Sequence, residues 1–179
     1  VTATQNIPPS AEPSAEIDVE IAQAPAVVRK TLDIFGRVGL PYTFRHVEAT
    51  SANVDELAVA LGCETHDLAL TTIFRGKATR KPFLLIHAAS SAVSDKILSQ
   101  IVGENIQRAE ADLVMRFSGF QLDAVAPLGH LNRLPIIMDS SLTRFARVWI
   151  NLGAPGCYAS VPTLVLARTI SARIVRLVA

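Results

Sequence analysis

Two apolar runs separated by a short polar turn constrain this chain most. Residues 68–75 read LALTTIFR, residues 83–89 read FLLIHAA, and residues 76–82 between them are turn-forming and charged. Runs of strand length, rich in branched and aromatic side chains and joined by so few residues, form an antiparallel hairpin. A parallel partner would need a crossover of about a dozen residues or more. The middle of the chain is therefore expected to be antiparallel sheet, which disfavours a doubly wound parallel fold.

The flanking segments are short and mixed. Val28, Leu32 and Phe35 recur at helical spacing after Pro25, predicting a helix over 24–38 that stops at Gly39. A short strand over 40–46 follows. Asn53 with Glu56 three residues on resembles a capping box for a helix ending at Gly62. Ser94 caps a third helix closed by Gly103, residues 106–108 form a short strand, and residues 110–117 form a helix ended by Gly119. Strands are expected over 134–138, 147–152, 158–160 and 172–178, with a turn or short helix from Ser140 and a final helix after Pro162. Strands and helices do not alternate regularly, so the fold class is α+β with a mixed or antiparallel curved sheet.

With 179 residues, half of them hydrophobic, the chain suits one domain with a sizeable core. The first 21 residues, with Pro8, Pro9, Pro13 and four acids by position 20, read as a flexible acidic tail. Residues 22–179 form the single domain. Net charge is +1, against a general nucleic-acid coat, yet residues 105–179 hold eight arginines against four acids and no lysine. That half suits a few phosphate contacts or an ordinary solvated surface. No apolar run reaches the length of a membrane span, and the start lacks a signal-peptide pattern. Two cysteines without CxxC spacing fit a reducing cytoplasm.

Motifs for nucleotide binding (GxxxxGK[ST], GxGxxG) and for a serine nucleophile elbow (GxSxG) are absent. His46, His66, His87 and His130 are far apart, with no metal-ligand spacing. His87, inside an apolar strand, reads as a hydrogen-bonded core histidine. Cys63 reads as a small semi-buried residue rather than a nucleophile.

The order of segments carries more. GLPYTFRHVEA, a capped helix ending in LG, ALTTIF, GF…VAPLGH, LPIIMDSSL and VWINLG together resemble the YbaK-type aminoacyl-tRNA deacylases, which are also the editing domains associated with prolyl-tRNA synthetases. The resemblance spans about residues 26–179. It implies a barrel-like, largely antiparallel mixed sheet surrounded by helices. It also implies hydrolysis of the ester joining a wrong amino acid to the 3′ end of tRNA, with the acceptor end of that tRNA, and a synthetase, as partners and with no metal or organic cofactor. An aminoacyl ester is already activated, so a held water, donors for the developing oxyanion and a sized pocket suffice. One methylene is worth only about 1–3 kcal/mol of discrimination, which is why a second sieve is useful.

Carried onto this chain, the resemblance assigns Ala126, Pro127, Leu128 and Gly129 to a loop presenting backbone N–H groups to the ester. His130 would donate to substrate or phosphate, or be a loop histidine without a role. Asp139 would stand at the pocket wall and orient a water, the substrate amine or the loop, or would cap the helix from Ser140. The family's lysine position holds Leu70 here, beside Thr71 and Thr72, whose hydroxyls are weaker donors. A Gly-Gly pair of the family is replaced by Asp123 and Ala124. These departures leave a rival expectation, a non-catalytic paralogue that binds an aminoacyl or nucleotide-like ligand or a synthetase; a small-molecule ester or amide hydrolase is a third.

Overall fold

The hairpin is the centre of the molecule. β2 (Ala69–Gly76) and β3 (Pro82–Ala88) pair antiparallel from Ala69 opposite Ala88 to Arg75 opposite Pro82. The computed structural model describes residues 20–48 and 53–177. Around the hairpin lie β1 (Thr43–His46), β4 (Ile106–Arg108), β5 (Ile136–Asp139), β6 (Arg147–Asn151), β7 (Cys157–Pro162) and β8 (Arg173–Val175). The helices are α1 (Ala26–Val38), α2 (Val54–Leu61), α3 (Asp95–Val102), α4 (Ala111–Ser118) and α5 (Thr163–Thr169), with a 3-10 helix over Ser140–Arg144.

The expected α+β class and the largely antiparallel mixed pairing are borne out, but the strands do not close into a barrel. Five strands run in the order β4-β2-β3-β5-β8 and three in the order β1-β7-β6. Among the strand ladders of the described residues, β3–β5 and β5–β8 are parallel and the others antiparallel. The two sheets meet at one isolated bridge, Leu68 with Trp149. Closure would need β8 to pair with β1. Instead β8 has only three residues and ends its sheet, and β1 ends the other.

Burial explains the sequence pattern. β3 is apolar on consecutive positions because both faces of its sheet are covered. Leu84 and Ile86 face the main core with Ile73, Met138, Val28, Leu32, Phe35 and Leu166, from the sheet, α1 and α5. Phe83 and Leu85 face a second cluster with Phe74, Ile137, Leu98 of α3 and Leu177. Asn53 caps α2 by accepting from the Asp55 N–H at 3.0 Å, and Ser94 caps α3 by accepting from the Ile97 N–H at 3.4 Å. The tail expectation for residues 1–19 lies outside the described residues. Residues 20–23 are helical, and Ile21 packs against the main core.

Candidate active site

The sheet leaves a gap along one edge of β2. In an antiparallel ladder a residue that exchanges bonds with its partner points its N–H and C=O at that partner, and the next residue points away. The Leu68 carbonyl accepts from Ala89 N–H and the Gly76 N–H donates to Lys81, so even-numbered residues of β2 face β3. Odd-numbered residues face the other edge. There β4 pairs only from Phe74 to Gly76, extended by the Ala109 N–H bonding the Ile73 carbonyl at 2.9 Å. At the other end β6 bridges only Leu68, the residue just before β2, through Trp149. The backbone N–H and C=O of Thr71 point into the stretch that neither ladder reaches.

A cavity of about 300 Å³ occupies this gap. Leu70, Thr71 and Thr72 line it together with Val125, Asn151 and Tyr158. The Thr71 hydroxyl is buried and has no hydrogen-bond partner. A buried polar group without a partner is uncommon and costly. Tyr158 stands opposite Asn151 in the β6–β7 register. Burial pushes the Tyr158 phenol above its ordinary value, with Asn151 opposing the shift, so the phenol keeps its proton and remains a donor. The Asn151 amide is held by its own turn, donating to the Ala154 carbonyl at 3.1 Å and accepting from the Gly153 N–H at 2.7 Å. Arg108 and Asp123 complete the rim, both exposed.

The other expected site residues lie elsewhere. Pro127, Leu128, Gly129 and His130 line a separate groove of about 610 Å³ with Ile34 and Val38 of α1 and Ser171. Gly129, at φ +87°, makes its close approach to Ile34, where an added Cβ would sit 3.1 Å from the Cδ1 atom. Its missing side chain thus accommodates α1. Ala126 is fully buried, and its carbonyl accepts from His130 Nε2 at 2.8 Å. The His130 ring is also packed edge-on against Phe120. Asp139 lines neither cavity. It is 1% exposed, and its carboxylate accepts from the Leu177 N–H at 3.1 Å and from the Ser141 hydroxyl. Alternation puts it on the Ile137 side of β5, away from Met138 and the main core beneath the loop. The loop and the aspartate therefore do not converge. It is Leu122, Asp123 and Val125, upstream of the loop, that reach the β2-edge cavity.

Tyr158, Asn151 and Arg108 had no site role in the sequence reading. No spacing could have singled them out, because they gather only through the β2–β6 gap and the short β4 ladder. Cys63 is not poised as a nucleophile: burial, then the nearby Asp67 and Glu64, push its thiol to about 11. Among the described residues, no three His, Cys, Asp or Glu side chains cluster to hold a metal, and no helix is long and apolar enough to cross a membrane.

Residues 48–169, the span holding β2, β3 and every residue lining this cavity, match the family model of the aminoacyl-tRNA editing domain. The chain belongs to the aminoacyl-tRNA editing domain family. The resemblance read from segment order is thereby borne out. A sequence relative of this editing domain is "Uncharacterized protein YwhH" of Bacillus subtilis (strain 168), 25% identical over 107 residues, which are 60% of this chain and 68% of YwhH. Among solved structures, a candidate trans-editing enzyme for prolyl tRNA synthetase superposes with a TM-score of 0.79 at 21% identity, covering 88% of this chain and 99% of the other. The hypothetical protein APE2540 superposes with a TM-score of 0.75 at 16% identity, covering 83% and 98%. At these identities the two structures share the fold with this editing domain.

Two histidines make its stability pH-dependent. Burial lowers the His130 imidazole below 6.5, with the bond to Ala126 opposing. Burial also lowers His87; its bond to the Ala88 carbonyl and the charge of Asp139 oppose this, while Arg108 adds to it. The unfolded chain thus binds more protons than the fold just below pH 6.5. Stability from these groups is fully present above that value and is lost as pH falls through the folded values. The thermal midpoint is expected to fall between pH 7 and pH 5.5. Replacing both residues, His87→Gln with His130→Gln, should flatten that slope in a calorimetric series.

Proposed function

We propose that this editing domain hydrolyses the ester of mischarged aminoacyl-tRNA in the cavity at the β2 edge. The observation that carries the reading is Thr71, a residue that lines one small cavity, whose backbone edge lies outside both ladders and whose hydroxyl is buried without a partner. A polar edge left without partners inside a fold is what a ligand carbonyl would satisfy. In the reaction, the Thr71 N–H and hydroxyl, with the Tyr158 phenol, donate to the carbonyl oxygen as it becomes an oxyanion. A water adds to the carbonyl carbon, the bond to the ribose oxygen breaks, and that oxygen takes up a proton. The terminal ribose brings its own hydroxyl to hold the water. Fixed neutral donors in a dry site suffice for this, because they need little reorganisation as charge develops.

A cavity of about 300 Å³ is at the lower end for small-molecule sites. It favours a small or medium amino acid, and the substrate is the acceptor end of a tRNA mischarged by a synthetase that this domain serves in trans, in the cytoplasm. The loop of Ala126, Pro127, Leu128 and Gly129 acts behind the site. His130, by holding the Ala126 carbonyl, braces the segment that brings Val125 to the cavity.

The test is a deacylation panel: tRNAs charged with alanine, serine, valine or phenylalanine, with loss of the ester followed at low enzyme concentration. Turnover that falls with side-chain size supports the reading. Leu70 favours a second one, because leucine supplies neither charge nor proton at the cavity. Binding of the charged tRNAs without turnover, and turnover appearing in Leu70→Lys, would establish a domain that keeps the pocket and has lost the reaction.

A further inference from the structure

The cavity at the β2 edge carries two opposite charges that do not meet. Arg108 and Asp123 both line it, and neither is in an ion pair with the other or with any described residue. The Arg108 guanidinium rests over the Phe74 ring, 5.8 Å from its centroid. That contact limits the freedom of a long side chain and leaves its N–H edges for a ligand. Asp123 comes from a different segment, the one leading to Val125, and its carboxylate accepts no hydrogen bond from the described residues. Two charges of opposite sign held apart at one cavity match a ligand that itself carries an anion and a cation apart. A nucleotide bearing an esterified amino acid is such a ligand, with a phosphate on one side of the ester and a free α-ammonium on the other.

We infer that Asp123 reads the α-ammonium of the aminoacyl group and Arg108 reads the phosphate of the terminal nucleotide. This rests on the proposed reaction for the identity of the ligand, but it concerns recognition alone. Asp123 then makes the domain selective for free aminoacyl groups over N-blocked ones such as peptidyl or acetyl-aminoacyl. Arg108 sets the distance from phosphate to ester and so places the carbonyl at Thr71. Both contacts are exposed, so they weaken as salt rises.

The experiment measures binding of a non-hydrolysable probe, 3′-alanylamido-3′-deoxyadenosine 5′-phosphate, by calorimetry at low salt. Three companions are the N-acetylated probe, the probe without phosphate, and alanine alone. In the unaltered protein, N-acetylation and phosphate removal are each expected to weaken binding about tenfold, in the range of hydrogen bonds to charged groups. Asp123→Asn should abolish only the acetyl penalty, and Arg108→Gln only the phosphate penalty. The crossed pairs should stay as in the parent, since each change removes one charge and leaves the other contact in place. A probe that does not bind at millimolar concentration, indifference to either change, an undiminished penalty in the matching variant, or alanine binding as tightly as the probe would overturn the assignment. Turnover of mischarged tRNA is read separately. Turnover with no discrimination overturns this assignment alone, and discrimination without turnover overturns the reaction and leaves the assignment standing.

Discussion

Thr71→Val is expected to lower deacylation of mischarged tRNA by about 100-fold while leaving the thermal midpoint unchanged or slightly higher. The replacement keeps shape and removes one hydroxyl. That hydroxyl is buried and bonds to nothing within the protein, so its loss breaks no internal hydrogen bond and removes a desolvated polar group. A neutral or favourable stability change follows. In the reaction the same hydroxyl is one of the donors to the oxyanion, and loss of one such donor costs about 100- to 1000-fold. The lower figure applies because the Thr71 N–H and the Tyr158 phenol remain. Single-turnover rates on pre-charged tRNA and a melting curve decide it. Unchanged turnover would remove Thr71 from the chemistry, and a midpoint several degrees lower would show that the hydroxyl has a structural partner.

Asp139→Ala is expected to do the reverse. The carboxylate is 1% exposed and ties the 3-10 helix, through the Ser141 hydroxyl, to the chain's last described residue, through the Leu177 N–H at 3.1 Å. Alanine would leave that buried N–H without a partner and a small void beside it. The loss is about 3 kcal/mol, in the range of broken buried polar networks. For a chain of this length that lowers the midpoint by about 6–12 °C. Turnover per folded molecule, measured well below the transition, should match the parent, because Asp139 lines neither cavity. A full loss of turnover with an unchanged midpoint would return the aspartate to the catalytic role that the family resemblance suggested.

These two residues show how far the chain could be read in advance. Both stood in the sequence as polar positions at strands of the expected fold, and both strands are present. Thr71 lies on β2 and Asp139 closes β5, as the apolar runs implied. Their roles were not legible, because a strand residue's role depends on what pairs with each edge of its strand. The loop from Ala126 to His130 is a parallel case. Its proline and glycine marked a turn correctly, but the groove it lines belongs to α1 and Ser171, nearly a hundred residues away and forty residues on.

Local chemistry was enough for the elements and their caps, and the family came from a resemblance carried by the order of segments. Periodicity places the helices, the turn between β2 and β3 requires their antiparallel pairing, and the family model of the editing domain matches residues 48–169. The open arrangement and the site came from contacts distant in sequence. β8 is too short to carry the sheet round to β1, so the barrel stays open. β4 and β6 stop short of each other along β2, so a hollow remains at Thr71 and gathers Tyr158, Asn151, Arg108 and Asp123 around it. Hydrogen-bond ladders end where partner strands end, and that length is decided by packing across the whole molecule rather than by the residues on either side of the gap.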